Sequence, residues 1–210
     1  MKVSAIAAAL CTGLLATSAA HAVLNVDVQG STGVTQAGFQ PLTVNGSGDG
    51  VGLYPTSFGN VTITVAGAGE RLRSVVAGDP FPDVNRDFSF QDGDGTSMTV
   101  TIAGLNPGQY DFRSFHHDTG TGGVNLFDLT LTDATGTNKV LDSVDWDRAG
   151  YSYLVESNGG LVTLLIQEDS TTNRNRFNGI QISQVVPEPA TATLGLLAFG
   201  GMMLRRRRTA

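Results

Sequence analysis

The feature that most constrains this chain is strict alternation of apolar and polar residues in many short runs, with no sustained 3.6-residue period in its body. Val61, Ile63 and Val65 alternate with Thr62 and Thr64, and Met98, Val100 and Ile102 with Thr99 and Thr101. Phe127, Leu129 and Leu131 point one way while Asp128 and Thr130 point the other. The pattern returns at Val162, Leu164 and Ile166 and at Ile180 and Ile182, with shorter versions at Phe88 and Phe90 and at Tyr151, Tyr153 and Val155. A period of two sends successive side chains to opposite faces, so each run is predicted to be a half-buried strand.

Turn residues separate the runs. In Asn106-Pro107-Gly108, proline presets one turn torsion and glycine supplies positive φ, so 105–110 is predicted to be a hairpin corner. Further loops are predicted at Gly93-Asp94-Gly95, 119–123, 133–137 and Asn158-Gly159-Gly160. The Gly-, Ser- and Thr-rich stretch 30–59 reads as long loops around one or two short strands. Short strands at this spacing predict an all-β fold, a single β-sandwich (jelly roll) domain.

Both ends differ from the body. Residues 1–22 have Lys2 in a short basic region, an apolar stretch, and Ala20-His21-Ala22 as a small-x-small cleavage site. This predicts a secretory signal peptide cut after Ala22. Leu10 stands directly before Cys11, where lipidation needs a small residue, which argues against a lipoprotein. At the other end, Pro187-Glu188-Pro189 is followed by a largely apolar run of fifteen residues, 190–204, and then four arginines, Arg205 to Arg208. The run is shorter than the roughly 17–25 residues of a comfortable membrane span, and the positive end favours the cytoplasmic side.

That order of motif, short apolar segment and basic terminus resembles the PEP-CTERM sorting signal of Gram-negative bacteria. The resemblance covers 187–210 and carries the sorting motif onto Pro187, Glu188 and Pro189. It implies export, transient anchoring in the inner membrane, and processing by an exosortase that leaves the body at the cell surface or outside. The alternative is an ordinary C-terminal membrane anchor. The chain thus divides into a signal peptide (1–22), a β-sandwich domain (23–186) and a sorting segment (187–210).

The body keeps eight of the thirteen basic residues and eighteen of the nineteen acidic ones, a balance of −10. That argues against nucleic acid, or anionic polysaccharide held by bulk charge, as partners, and fits neutral partners or cations. Its one cysteine lies in the signal peptide, so the exported domain rests on its core, helped at most by a metal.

A second resemblance spans most of the body. Taken in order, V-D-V-Q-G-S-T-G-V-T-Q-A-G-F, R-D-F-S-F, I-A-G-L-N-P-G-Q-Y-D-F, F-H-H-D and F-N-G-I-Q-I look like galactose-binding-like jelly rolls, the sandwich of many carbohydrate-binding modules. This implies a fold, and carbohydrate binding by analogy.

The residues themselves nominate several candidates. His116 and His117 are adjacent at the end of one strand and so face opposite sides, which disfavours a shared zinc ion. His116 is expected in the core, and His117 with Asp118 either in a loop or on a binding rim. Trp146, between Asp145 and Asp147, is read as an exposed sugar-stacking ring or as a packed one. Arg174 and Arg176 are expected at a loop rim, solvated or paired with Asp87 or Asp92. Asp92 and Asp94 are candidate calcium ligands, because calcium takes carboxylate oxygens from flexible loops. Residues 79–86, with Pro80 and Pro82, read as a stiff loop that either shapes a pocket or merely connects strands.

No Gly-x-Ser-x-Gly elbow is present and only two histidines remain in the body, so no catalyst is expected. The readings stand in this order: an exported carbohydrate-binding module, a structural or adhesive matrix or biofilm protein, and a glycoside or ester hydrolase. The expected partners are the exosortase, extracellular polysaccharide and, transiently, the inner membrane.

Overall fold

The computed structural model describes residues 22–92, 96–118, 126–145, 147–169 and 175–186. Residues 1–21 of the signal peptide, the sorting segment, Trp146, Arg174 and Asp94 lie outside the described residues. His21–Val185 forms one compact unit with its own core, and no helix among the described residues is long and apolar enough to cross a membrane.

Among the described residues fourteen strands follow one another: β1 (Val23–Gln29), β2 (Gln40–Thr43), β3 (Gly50–Thr56), β4 (Gly59–Ala66), β5 (Gly69–Leu72), β6 (Asp87–Gln91), β7 (Ser97–Leu105), β8 (Gly108–His116), β9 (Phe127–Thr132), β10 (Asn138–Val144), β11 (Asp147–Ser157), β12 (Val162–Glu168), β13 (Asn175–Phe177) and β14 (Gly179–Gln184). One five-stranded sheet has the order β11-β8-β14-β1-β2, and a six-stranded sheet runs β10-β9-β12-β7-β4-β3. A small third sheet, β13-β6-β5, adjoins them. The molecule is an all-β sandwich, as its alternation predicts.

The core holds the inward half of each alternating run. Leu24, Val26, Phe112, Ile180 and Ile182 come from the five-stranded sheet, and Val61, Ile63, Val100, Leu129 and Leu164 from the six-stranded one. Each side chain of this size contributes about 1.5–3 kcal/mol on burial, so the two inner faces, without any disulfide, supply the cohesion of the domain.

The Asn106-Pro107-Gly108 turn is not a hairpin. β7 belongs to the six-stranded sheet and β8 to the five-stranded one, so the turn carries the chain across the sandwich. The crossing is pinned by the Tyr110 hydroxyl donating to the Asn106 carbonyl at 2.8 Å, a tyrosine corner. Phe58 packs edge-on against the Tyr110 ring at 5.6 Å, and its carbonyl accepts the Asn106 N–H at 2.8 Å. Gly104 lies at φ 81° against the β4 backbone, where a Cβ would collide with the Asn60 carbonyl.

Gly104→Ala therefore combines a left-handed backbone with a backbone clash. It is expected to cost about 2–4 kcal/mol, read as a lower urea midpoint. An unchanged midpoint would show that β4 and β7 separate there without penalty.

Candidate functional site

The sequence-nominated residues His117, Asp118 and Arg176 do meet, at one end of the sandwich, but they meet in the interior. All three are buried, which corrects the expected rim positions. Asp118 accepts a two-pronged bond from Arg73, Nε to Oδ1 at 2.8 Å and Nη2 to Oδ2 at 3.1 Å. Its Oδ2 also takes Arg176 Nε at 3.4 Å. Arg176 Nη1 reaches Asp92 Oδ1 at 2.6 Å, and its guanidinium lies over the rings of Phe88 and Phe90, 5.1 Å from each. Burial pulls the Arg176 pKa down, and the two carboxylates oppose that shift. Asp92, expected as a calcium ligand, is here the ion-pair partner of a buried arginine.

The histidines separate to opposite faces, as their adjacency dictates. His116 points inward, with Nδ1 2.7 Å from the Arg176 carbonyl and Nε2 2.8 Å from Ser114 Oγ. Complete burial lowers its pKa to about 4. The neutral ring therefore donates from Nδ1 to the carbonyl and accepts the serine hydroxyl at Nε2. His117 points outward but is covered by 79–86, which is more than a plain connection. Arg148 Nε donates to His117 Nε2 at 2.9 Å, and Arg148 also lies 3.8 Å from Asp79. Burial first, then Arg148, lowers the His117 pKa.

A second polar centre lies under residues 30–36. Asp27, on the outer face of β1, accepts the Gln36 N–H at 2.6 Å. Burial raises its pKa to about 7, with Asp87 and Asp83 adding to the shift and the Gln36 amide and Arg86 opposing it. Burial likewise raises Asp87 to about 6, against Arg86 and the Val34 amide. Neither residue was singled out from the sequence as a site of its own.

Three carboxylates converge elsewhere. Asp128, Asp142 and Asp169 place oxygens within 4.8 Å of one another beside the bulge of β10. The neighbouring Asp128 carboxyl raises the Asp142 pKa. The Ser143 N–H donates to Asp128 at 2.9 Å, and the Ser143 hydroxyl bonds Asp169.

The open site is on the outer face of the five-stranded sheet. The strand registers align Val23, Ser183, Asp111 and Leu154 in one row across β1, β14, β8 and β11, and Asn25, Gln181, Arg113 and Ser152 in the next. These rows floor a groove of about 460 Å³ lined by Val23, Asp111, Phe112, Arg113, Ser152, Gln181 and Ser183. Beyond Arg113 the next outward residue of β8, Phe115, is buried beneath Phe81 and Phe39, with ring centres 4.9 and 6.1 Å away. Phe39 and Phe81 stay partly exposed. Among the described residues, no side-chain hydrogen bond or ion pair occupies Asp111, Arg113, Ser152, Gln181 or Ser183. At the buried end the charged side chains of Arg73, Arg176, Asp92 and Asp118 pair with one another; the groove offers donors and acceptors without such partners among the described residues.

No family model and no curated protein matches this chain. Among solved structures it is similar to the Bacillus subtilis protein YxiM, at 15% identity and TM-score 0.47, over 80% of this chain and 41% of that one. It is also similar to a Ruminococcus gnavus GH29 fucosidase in complex with fucose, at 10% identity and TM-score 0.35, over 61% of this chain and 26% of that one. A third similarity is to TmCBM61 in complex with β-1,4-galactotriose, at 12% identity and TM-score 0.31, over 61% of this chain and 90% of that one. Likenesses of this size identify no family, and the chemistry of the groove is what bears on function.

The buried acids give the domain a pH signature. Asp27 and Asp87 hold their protons more tightly folded than unfolded, so they make stability fall as pH rises from about 4 to about 7. His116, with its lowered pKa, works the other way between about 4 and 6.5. Comparing Asp27→Asn with the parent isolates the carboxyl. The variant should gain melting temperature relative to the parent on going from pH 5 to pH 8. A difference independent of pH would show that Asp27 titrates normally.

Proposed function

We propose that this chain is an exported surface or extracellular-matrix protein whose β-sandwich binds carbohydrate in the groove of the five-stranded sheet. The observation that carries the reading is the set of unpartnered groups on a rigid floor: a carboxylate, a guanidinium, an amide and two hydroxyls. Sugar hydroxyls both donate and accept, and a floor offering both roles without internal competition answers them. The partly exposed Phe39 and Phe81 supply an apolar wall near one end, suited to C–H faces of a sugar ring.

Catalysis is not part of this reading. Among the described residues Asp111 is the one carboxylate lining the groove, whereas glycoside hydrolysis uses two. His116 and His117 are both engaged by neighbours outside the groove lining.

A calcium brace, where one is taken up, would find its donor set at Asp128, Asp142 and Asp169. Three converging carboxylates suit a hard cation that takes oxygen ligands. Asp92 is engaged by Arg176 instead.

Melting of the body against a panel of neutral and acidic oligosaccharides tests the binding reading, since a ligand of the native state raises the melting point. A sugar-specific rise should disappear in Arg113→Ala and weaken in Gln181→Ala, each losing about 1–3 kcal/mol of binding. A rise that survives both substitutions would place the site elsewhere. A calcium-dependent rise should vanish in Asp142→Asn.

The second reading, a matrix protein without a small ligand, is favoured by the outer face of the six-stranded sheet. Thr64, Thr101, Thr163 and Thr132 stand in one row across β4, β7, β12 and β9, and Val51 and Leu53 lie exposed at the β3 edge. Concentration-dependent association of the body, with no shift by any sugar, would favour it.

Export through the signal peptide and exosortase processing at Pro187-Glu188-Pro189 complete the proposal; their support is the ordered sequence features alone. Expression in an exosortase-bearing host should yield an extracellular chain lacking the arginine-rich end. Deleting 187–210 should leave the body unsorted in the periplasm, and intact-mass measurement of each fraction reads both outcomes.

A further inference from the structure

β1 begins at the margin of the groove, and the cleavage site read in the sequence lies immediately before it. Val23 is the first residue of β1, is exposed, and lines the groove opposite Ser183. Cutting after Ala22 converts its peptide N–H into an α-ammonium group. Asp111 is the next residue across from Ser183, and with strands about 4.8 Å apart the new charge stands roughly 10 Å from it. Arg113 lies in the adjacent row. The groove of the uncut chain balances one cation, Arg113, against one anion, Asp111. The groove of the cut chain has two cations against one anion.

We propose that removal of the signal peptide completes this site, and that the mature groove takes sugars bearing a carboxylate, held between the Val23 α-ammonium and the Arg113 guanidinium. The inference rests on the carbohydrate reading above and narrows it to uronate-containing ligands. The acidic body does not oppose it. At physiological ionic strength charges beyond about 8 Å are largely screened, so the charges in the groove decide binding of a short oligomer. The arrangement also makes the exported form the tighter binder of uronates, because the chain inside the cell lacks the second cation.

An α-amino group titrates at about 7.7–8.0, so the mature site should lose its preference in mild alkali. Other charged groups share this face. Asp111 and Arg113 come from β8, Glu156 from the β11 edge and Arg148 from the far end of β11 beside His117, β14 contributes none, and Asp27 lies further along β1 beneath residues 30–36. Asp27 titrates in a similar range, but it does so whether or not the amino group is free.

The test uses the body, 23–185, which is a compact unit by itself. Three preparations are compared: one beginning at Val23 with a free amino group, one retaining Ala20-His21-Ala22 ahead of it, and a free-amino Arg113→Gln variant. Each is titrated calorimetrically with trigalacturonate and with galactotriose at pH 6.5 and pH 9. The free-amino form should bind the uronate about tenfold more tightly than the extended form at pH 6.5, the size of one charge-assisted hydrogen bond. That advantage should shrink at pH 9, the neutral sugar should not distinguish the two forms, and Arg113→Gln should lose the uronate. Equal uronate affinity in the free and extended forms overturns the inference while leaving the carbohydrate reading intact. Binding of neither sugar by any preparation removes that reading as well. N-terminal sequencing of the naturally exported chain must begin Val-Leu-Asn-Val; any other start overturns the inference.

Discussion

The side chain of Asn178 holds one end of the sandwich together. Its amide donates to the carbonyls of Val84, Asp87 and His117 at 3.0–3.1 Å, and its Oδ1 accepts the His117 N–H at 2.7 Å. One buried residue just before β14 thus fastens the segment ahead of β6, the start of β6 and the end of β8. Few side chains other than asparagine or glutamine can donate and accept in this way, and each group left unmade there would cost about 1–3 kcal/mol. With the segment fixed, Phe81 is set over Phe115 and Asp79 beside Arg148. The burial of His117 follows from that covering.

The same constraint explains what the sequence showed and what it did not. Strands with one buried and one exposed face, such as Val61–Ile63–Val65 or Leu129–Leu131, announce themselves by alternation. Strand β10 does not, because at the sheet edge nearly all of its side chains meet solvent and no pattern is imposed. The turn at Pro107 was legible as a turn, yet turn residues do not say which sheet receives the next strand. His116 was placed correctly in the core, since strand parity alone decides its face. His117 and Asp118 were not, because what buries them arrives from residues 73–86, distant in sequence.

The groove was illegible for a different reason. Asp111, Arg113, Gln181 and Ser183 are simply the polar half of alternating strands, indistinguishable in one dimension from any solvated face. They become a site only when register sets β14 between β1 and β8 and aligns two rows of polar groups. Conspicuous residues drew attention instead: a histidine pair and clustered charges. In the folded chain those charges neutralise one another at Asp118, Asp92, Arg73 and Arg176. Conspicuous charge in a sequence marks the need for a partner, and here the partner is usually internal.

Residues 30–39 join the two halves of this account. They leave β1, pass Gly33 so closely over Asp87 that a side chain there would strike the carboxylate, and return Phe39 to the wall above Phe115. The loop is anchored by the Gln36 amide on Asp27, with the Gln36 side-chain oxygen accepting the Asp83 N–H at 3.0 Å. Burying two carboxyls beneath it disfavours their ionised forms, so the loop is most tightly held when one of them is protonated. The polar floor is carried by paired strands, whereas the apolar wall is carried by segments between strands. The polar floor should therefore set which ligand is chosen, and the wall should set how firmly it is held.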